Sequence, residues 1–140
     1  MLTEIRARCD NLEECYEFML AYAAQGLSSD QGRHAGDEVR GYLHRALKAI
    51  AGLAESCAMA VKEKGLQPEE RYQAFFVVLD RDARDSLAAI ELVLAQPAIS
   101  SQLVDSLNAS IHLRALLTDL FLVSEMLKPQ AVPAKLVNTG

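Results

Sequence analysis

The sequence predicts an all-α protein, an antiparallel up-down-up-down four-helix bundle. Three observations lead there. Apolar residues recur three and four apart almost throughout, which places them on one face of a helix. No stretch shows the strict alternation of a half-buried strand, and no GxGxxG phosphate-cradling loop is present. Finally, the 140 residues are 51% hydrophobic with only 6% aromatic and no Trp, so the core must be built from Leu, Ala, Val and Ile. A chain of roughly this length buries about 68–70% of its unfolded surface and needs no disulfide or metal to hold a core.

The first helix is expected over about Thr3 to Gln25. Ile5, Cys9, Leu12, Tyr16, Met19 and Ala23 form its seam, Thr3 is placed to cap it, and Gly26 ends it. The second carries Val39, Leu43, Ala46, Ile50, Leu53, Cys57 and Val61 and stops at Lys64–Gly65. Its start lies between Asp30 and Asp37, because Gly32 and Gly36 each weaken a helix by about 1 kcal/mol relative to Ala. The third opens at Pro68, presents Tyr72, Phe76, Leu79, Ala83, Leu87, Ile90 and Leu94, and ends before Pro97. The fourth runs from Ser100 or Ser101 to about Leu127.

That fourth helix has two apolar faces. Leu103, Val104, Leu107 and Ile111 share one, while Leu113, Leu116, Leu120, Val123 and Leu127 share another nearly opposite. Either the helix breaks near Asn108–Ser110 or its second half is buried on two sides. Residues 1–128 thus read as a single bundle domain and residues 129–140, with two prolines, as an extended C-terminal tail.

Bulk properties restrict function. The net charge is −5 and no stretch is rich in Lys and Arg, which disfavours nucleic-acid binding. No signal peptide and no membrane span is expected. Cys9, Cys15 and Cys57 are odd in number with no CxxC spacing, which fits reduced thiols in a cytoplasmic protein. No cofactor is expected.

Three groups of residues stand out as candidate sites. On the second helix His34, Asp37, Gly41 and His44 fall within an arc of about 80° opposite the core seam, and thus face solvent or a partner. His34 and Asp37 could also serve as metal ligands at a surface site. An interior di-metal site is disfavoured, because no Glu-x-x-His occurs and no carboxylate is evident on the inward stripes. On the first helix Cys15, Phe18 and Tyr22 make a second apolar stripe about 100–120° from the seam. On the third, Val77, Val78, Ala88 and Leu92 point away from the core. Such surplus stripes suggest a subunit or partner interface. His112 is placed to bond a carbonyl freed by the expected break. The run DRDARD, with Asp80 and Arg84 as well as Arg81 and Asp85 four apart, reads as a self-compensated solvated face.

The segment HRALKA, His44 to Ala49, resembles the phosphoacceptor segment of histidine phosphotransfer domains, which are also four-helix bundles. The resemblance implies phosphoryl transfer through His44 with Lys48 one turn on. It departs from the His-x-Leu-Lys-Gly pattern, since the lysine comes one place late and Ala49 stands for the glycine. The leading expectation is a non-catalytic protein-interaction bundle, an adaptor, chaperone or regulator that forms a homodimer or larger oligomer and contacts another protein. Phosphotransfer is the alternative, and a small-ligand or metal-binding bundle the third reading.

Overall fold

The computed structural model describes residues 2–31 and 34–127, the side chains of 34–37 excepted. It is an all-helical bundle with no strand among the described residues. Among the described residues six helices occur in place of the four expected: α1 (Leu2–Ala24), α2 (His34–Ile50), α3 (Leu53–Lys64), α4 (Glu69–Leu94), α5 (Ser101–Ala109) and α6 (Ile111–Leu127). The expected tail lies outside the described residues.

The extra helices come from two breaks. One is the break foreseen in the last rod. α5 ends at Ala109, and Ser110, in extended conformation, separates it from α6. Ser110 Oγ accepts a hydrogen bond from the Leu113 N–H at 3.2 Å, so it caps the new helix while ending the old one. The change of direction lets Val104 and Leu107 of the first face and Leu113, Leu116, Leu120, Val123 and Leu127 of the second reach one core, while Ile111, just past the break, is left 74% exposed.

The other break corrects the expectation of one unbroken second helix. Gly52 adopts the left-handed conformation, φ 70° and ψ 11°, and separates α2 from α3. A glycine does this without the Cβ clash other residues meet. The Ala51 carbonyl beside it accepts a hydrogen bond from Arg8 of α1 at 2.7 Å. The apolar seam survives the break, since Val39, Leu43, Ala46, Ile50, Leu53, Cys57 and Val61 are all buried.

Other boundaries follow local chemistry. α1 begins at Leu2, so Thr3 lies inside it and is not its cap; Gly26, at φ 67°, follows its end. α3 closes on left-handed Gly65 after Lys62 and Lys64. Pro68 stands just outside α4 rather than at its first position, with Glu69 and Glu70 opening the helix. Ser100 caps α5 by accepting from the Leu103 N–H at 3.0 Å.

α1 packs most extensively on α2 and α5, and α4 on α3 and α6. Contacts fix relative directions. On α1, Arg8 meets Ala51, Arg45 meets Asn11 and Glu14, and Phe18 stacks on Tyr42, so α1 and α2 run antiparallel. α4 and α6 also run antiparallel, since Ser86 reaches the His112 carbonyl while Tyr72 and Phe75 lie beside Leu122 and Met126.

The end of the bundle where α1 meets α2 and α4 meets α5 is closed by a polar clasp. The buried Asp30 accepts from the Ile99 N–H at 2.6 Å and from Arg40 Nε at 2.6 Å. Arg40 also donates to the Leu94 and Gln96 carbonyls at 3.1 and 3.0 Å, which terminate α4. Tyr22 donates its hydroxyl to the Ile99 carbonyl at 2.6 Å, and Ser101 Oγ donates to the Tyr22 carbonyl at 2.6 Å. Two connections that would otherwise leave buried backbone groups unpaired thus satisfy each other.

Candidate functional site

The first-helix stripe is not a docking face. Cys15 and Tyr22 have no exposed surface, and Phe18 is half-buried, its ring 4.2 Å from that of Tyr42. Arg45 covers the same Tyr42 ring at 4.8 Å and pairs with Glu14. The helical wheel placed these residues at the right angle; what it omitted is that α1 has α2 on one flank and α5 on the other, so both of its stripes are core. Cys15, Phe18 and Tyr22 are therefore corrected from partner-binding to packing residues.

On α2, Gly41 and His44 are exposed as expected, and so is Lys48. A Cβ at Gly41 would meet nothing within 4 Å. His34 and Asp37 have side chains outside the described residues. The three thiols are buried, and burial pushes Cys57 up to about 12 and raises Cys9 and Cys15 as well. Such groups hold no thiolate at neutral pH and make poor nucleophiles. Among the described residues no group of three or more His, Cys, Asp or Glu could hold a metal.

The surface that does combine apolar exposure with unusual polar chemistry is the seam between α4 and α6. Its apolar end is a cleft of about 380 Å³ lined by Pro68, Arg71, Tyr72, Phe75, Leu122 and Met126. Leu122, Met126 and, on α4, Val78 are exposed. Phe121, 66% exposed, lies on the other flank of α6, in a groove against Leu12 and Tyr16 of α1. These side chains arise from the wheel itself. Leu122 and Met126 are four apart and lie off the stripe of Leu116, Leu120, Val123 and Leu127 that enters the core.

Further along the seam, Asp82 of α4 faces Asp119 of α6. Asp119 is only 7% exposed, and the Asp82 carboxyl is the side-chain hydrogen-bond partner its own carboxyl finds. Burial first, then Asp82 beside it, raises the Asp119 carboxyl to about 7. Two carboxylates cannot hydrogen-bond to each other unless one carries a proton, which explains why the pair favours the half-protonated state. Asp119 also lines a shallow hollow with Ala109, Ile111, Arg114, Ala115 and Thr118.

Beyond the acid pair, His112 Nδ1 lies 3.9 Å from Asp85, and Ser86 donates to the His112 carbonyl at 3.0 Å. The freed carbonyl near the break is thus His112's own, and the donor is a serine rather than the imidazole. In DRDARD, Arg84 pairs with Asp80 at 2.8 Å.

No family model matches this chain, and no curated protein and no solved structure matches it either. Sequence reasoning missed Asp30, Asp82 and Asp119. For Asp119 a signal existed: it stands between Leu116 and Leu120, at the edge of the apolar stripe, where a solvated acid is out of place. For Asp30 no local signal did, because its burial depends on Arg40 and on Ile99, which is 69 residues away.

Proposed function

We propose that this protein is a non-catalytic, cytoplasmic protein-interaction bundle, an adaptor, chaperone or regulator, and that its docking surface is the α4–α6 seam. The observation that carries the reading is the exposed pair Leu122 and Met126 in a cleft that also holds Tyr72 and Phe75. Scattered apolar residues are ordinary on a surface, but a cleft lined by them on two helices fits a partner's side chain. A photoreactive residue at position 122 should give discrete crosslinked products in cells that Met126→Asp abolishes, while the same probe at Lys62 on α3 gives none of them. Identical products from both positions would remove the reading. The outward face at Gly41 and His44 is a second contact candidate: Gly41→Leu should weaken association without loss of folding, and no change in either makes it ordinary surface.

Phosphoryl transfer through His44 is the second reading. It is favoured by the exposure of His44 and of Lys48, which stands one turn on in the last turn of α2. Incubation with a phosphorylated receiver domain would then produce an acid-labile label that His44→Gln abolishes. Absence of label across a panel of receivers would eliminate it.

A further inference from the structure

We propose that the groove between α1 and α6 is covered by the chain's own residues 131–137, folded back over it from the end of α6. This groove lies on the other flank of α6 from the docking cleft described above, and the inference stands independently of that reading.

The groove exists because α1 and α6 pack only lightly on each other, while each packs extensively elsewhere. The space left between them is two adjoining hollows of about 310 and 370 Å³ that share Glu13 and Ser124. The first holds Leu2 and Ile5 of α1 against Val123 and Leu127 of α6. The second holds Leu12 and Tyr16 against Leu117 and Phe121. The two helices are therefore antiparallel here, and the groove follows α6 from Leu127 back to Leu117, about 15 Å along the axis. Phe121 is left 66% exposed in it.

Place and reach name the occupant. Leu127, the last residue of α6, lines one end of the groove, so the chain leaves α6 there. Pro129 disfavours continuation of the helix. Seven extended residues span up to about 23 Å, more than the length to be covered. A segment tethered this closely has an effective concentration in the millimolar range, so even weak contacts fill the groove ahead of a free partner.

Charge complementarity supports the same occupant. Asp10, Glu13 and Glu17 line the groove beside its apolar residues, against one cation, Arg6. All three acids are exposed, and none is in an ion pair among the described residues. Residues 128–140 contain Lys128 and Lys135, no acid, and the apolar Val132, Leu136 and Val137. The apolar residues can cover Phe121 and Leu117 while the lysines meet the acids. A second copy laid face to face on the groove would instead set these three acids against the same three.

The test places a photoreactive residue at position 136 of the full chain. Irradiation of the purified protein should give products of monomer mass, with position 136 joined to residues 9–17 of α1 or 117–124 of α6. Their yield should fall at least about five-fold in Phe121→Asp and in the Glu13→Lys, Glu17→Lys double variant, while Phe121→Leu and Leu122→Asp keep it. Glu13, Glu17 and Phe121 are exposed, so these variants should retain helical circular dichroism. Amide exchange of residues 131–137 should also be slower in the wild-type chain than in Phe121→Asp. Crosslinks scattered over other helices, yields indifferent to either groove variant, or equal exchange would overturn the inference. Products of dimer mass alone, lost on dilution, would assign the groove to the same segment of a second copy and overturn it too. None of these outcomes bears on the crosslinks expected from position 122.

Discussion

At Asp119 and Asp30 the same functional group is buried in two opposite electrostatic settings, and each sets its own pH window. Burial opposes the charge on Asp30, but the hydrogen bonds from Arg40 and from the Ile99 N–H outweigh it and hold the carboxyl below its ordinary value. Stability from Asp30 is therefore present above the unfolded value of about 3.9 and is lost as pH falls through the lower folded value. Arg40→Ala leaves a buried carboxylate without its cation and should cost on the order of 3 kcal/mol in denaturant unfolding at pH 7. Asp119 works in the other direction. The folded state holds the proton more tightly than the unfolded state, so stability falls as pH rises from about 4 to about 7. Asp82 from α4 and Arg114 from α6 are the ionisable groups that share its surroundings. Asp119→Asn should raise the melting temperature at pH 8 by roughly 3–6 °C, with the gain vanishing below about pH 4. An unchanged melting temperature at pH 8 would mean that the acid pair is solvated. The thiols supply a further check: Cys9, Cys15 and Cys57 should react with a thiol reagent only after unfolding, since all three are buried with raised pKa values.

Two glycines in the α2–α3 rod should respond in opposite ways because the element treats them differently. Gly41 is helical, exposed and has open space around it. Gly41→Ala should stabilise by about 0.5–1 kcal/mol, the ordinary helix preference. Gly52 also has open space, but its φ is 70°. Gly52→Ala should cost about 1–2 kcal/mol from backbone strain alone, and Gly52→Asn less. Thermal melts of the three variants separate packing from backbone, and equal effects at both positions would show α2 and α3 to be continuous. The α5–α6 break makes a matching case. Ser110→Ala removes the hydroxyl that accepts from Leu113 and should cost about 1 kcal/mol.

For the molecule as a whole, two groups of exposed apolar residues bear on association. Val78, Leu122 and Met126 border the α4–α6 seam, while Val77 and Leu92, 61% and 66% exposed, lie on the outer side of α4. We propose self-association as well, with the second group as its surface. The chain should elute at about twice its 15.3 kDa mass or more, and Leu92→Glu should shift it to monomer, since burying a leucine is worth about 1.5–3 kcal/mol. A wild-type chain that stays monomeric at high micromolar concentration would remove self-association from the reading. Phe18→Glu is a different experiment: with Phe18 stacked on Tyr42, the charge should lower folding stability rather than dissociate an oligomer.

What periodicity alone determined is which residues of each helix share a face. The seams through Ile5, Cys9, Leu12 and Met19 and through Val39 to Val61 are buried, and Val77, Val78, Ala88 and Leu92 are exposed, as spacing at 100° per residue requires. Two opposed apolar faces on one rod required either a break or burial on both sides, and Ser110 supplies the break. Spacing could not determine how many neighbours a helix has. Cys15 and Tyr22 became core because α2 and α5 both pack on α1, a fact that belongs to no single segment. The left-handed turn at Gly52 was legible as a glycine within a helical pattern, but the Arg8 side chain that bonds the adjacent Ala51 carbonyl comes from 43 residues away. Asp119 was visible beside its leucines. Only the antiparallel packing of α4 on α6 places Asp82 opposite it, and only that juxtaposition turns a solvated acid into a buried carboxyl that holds its proton near pH 7.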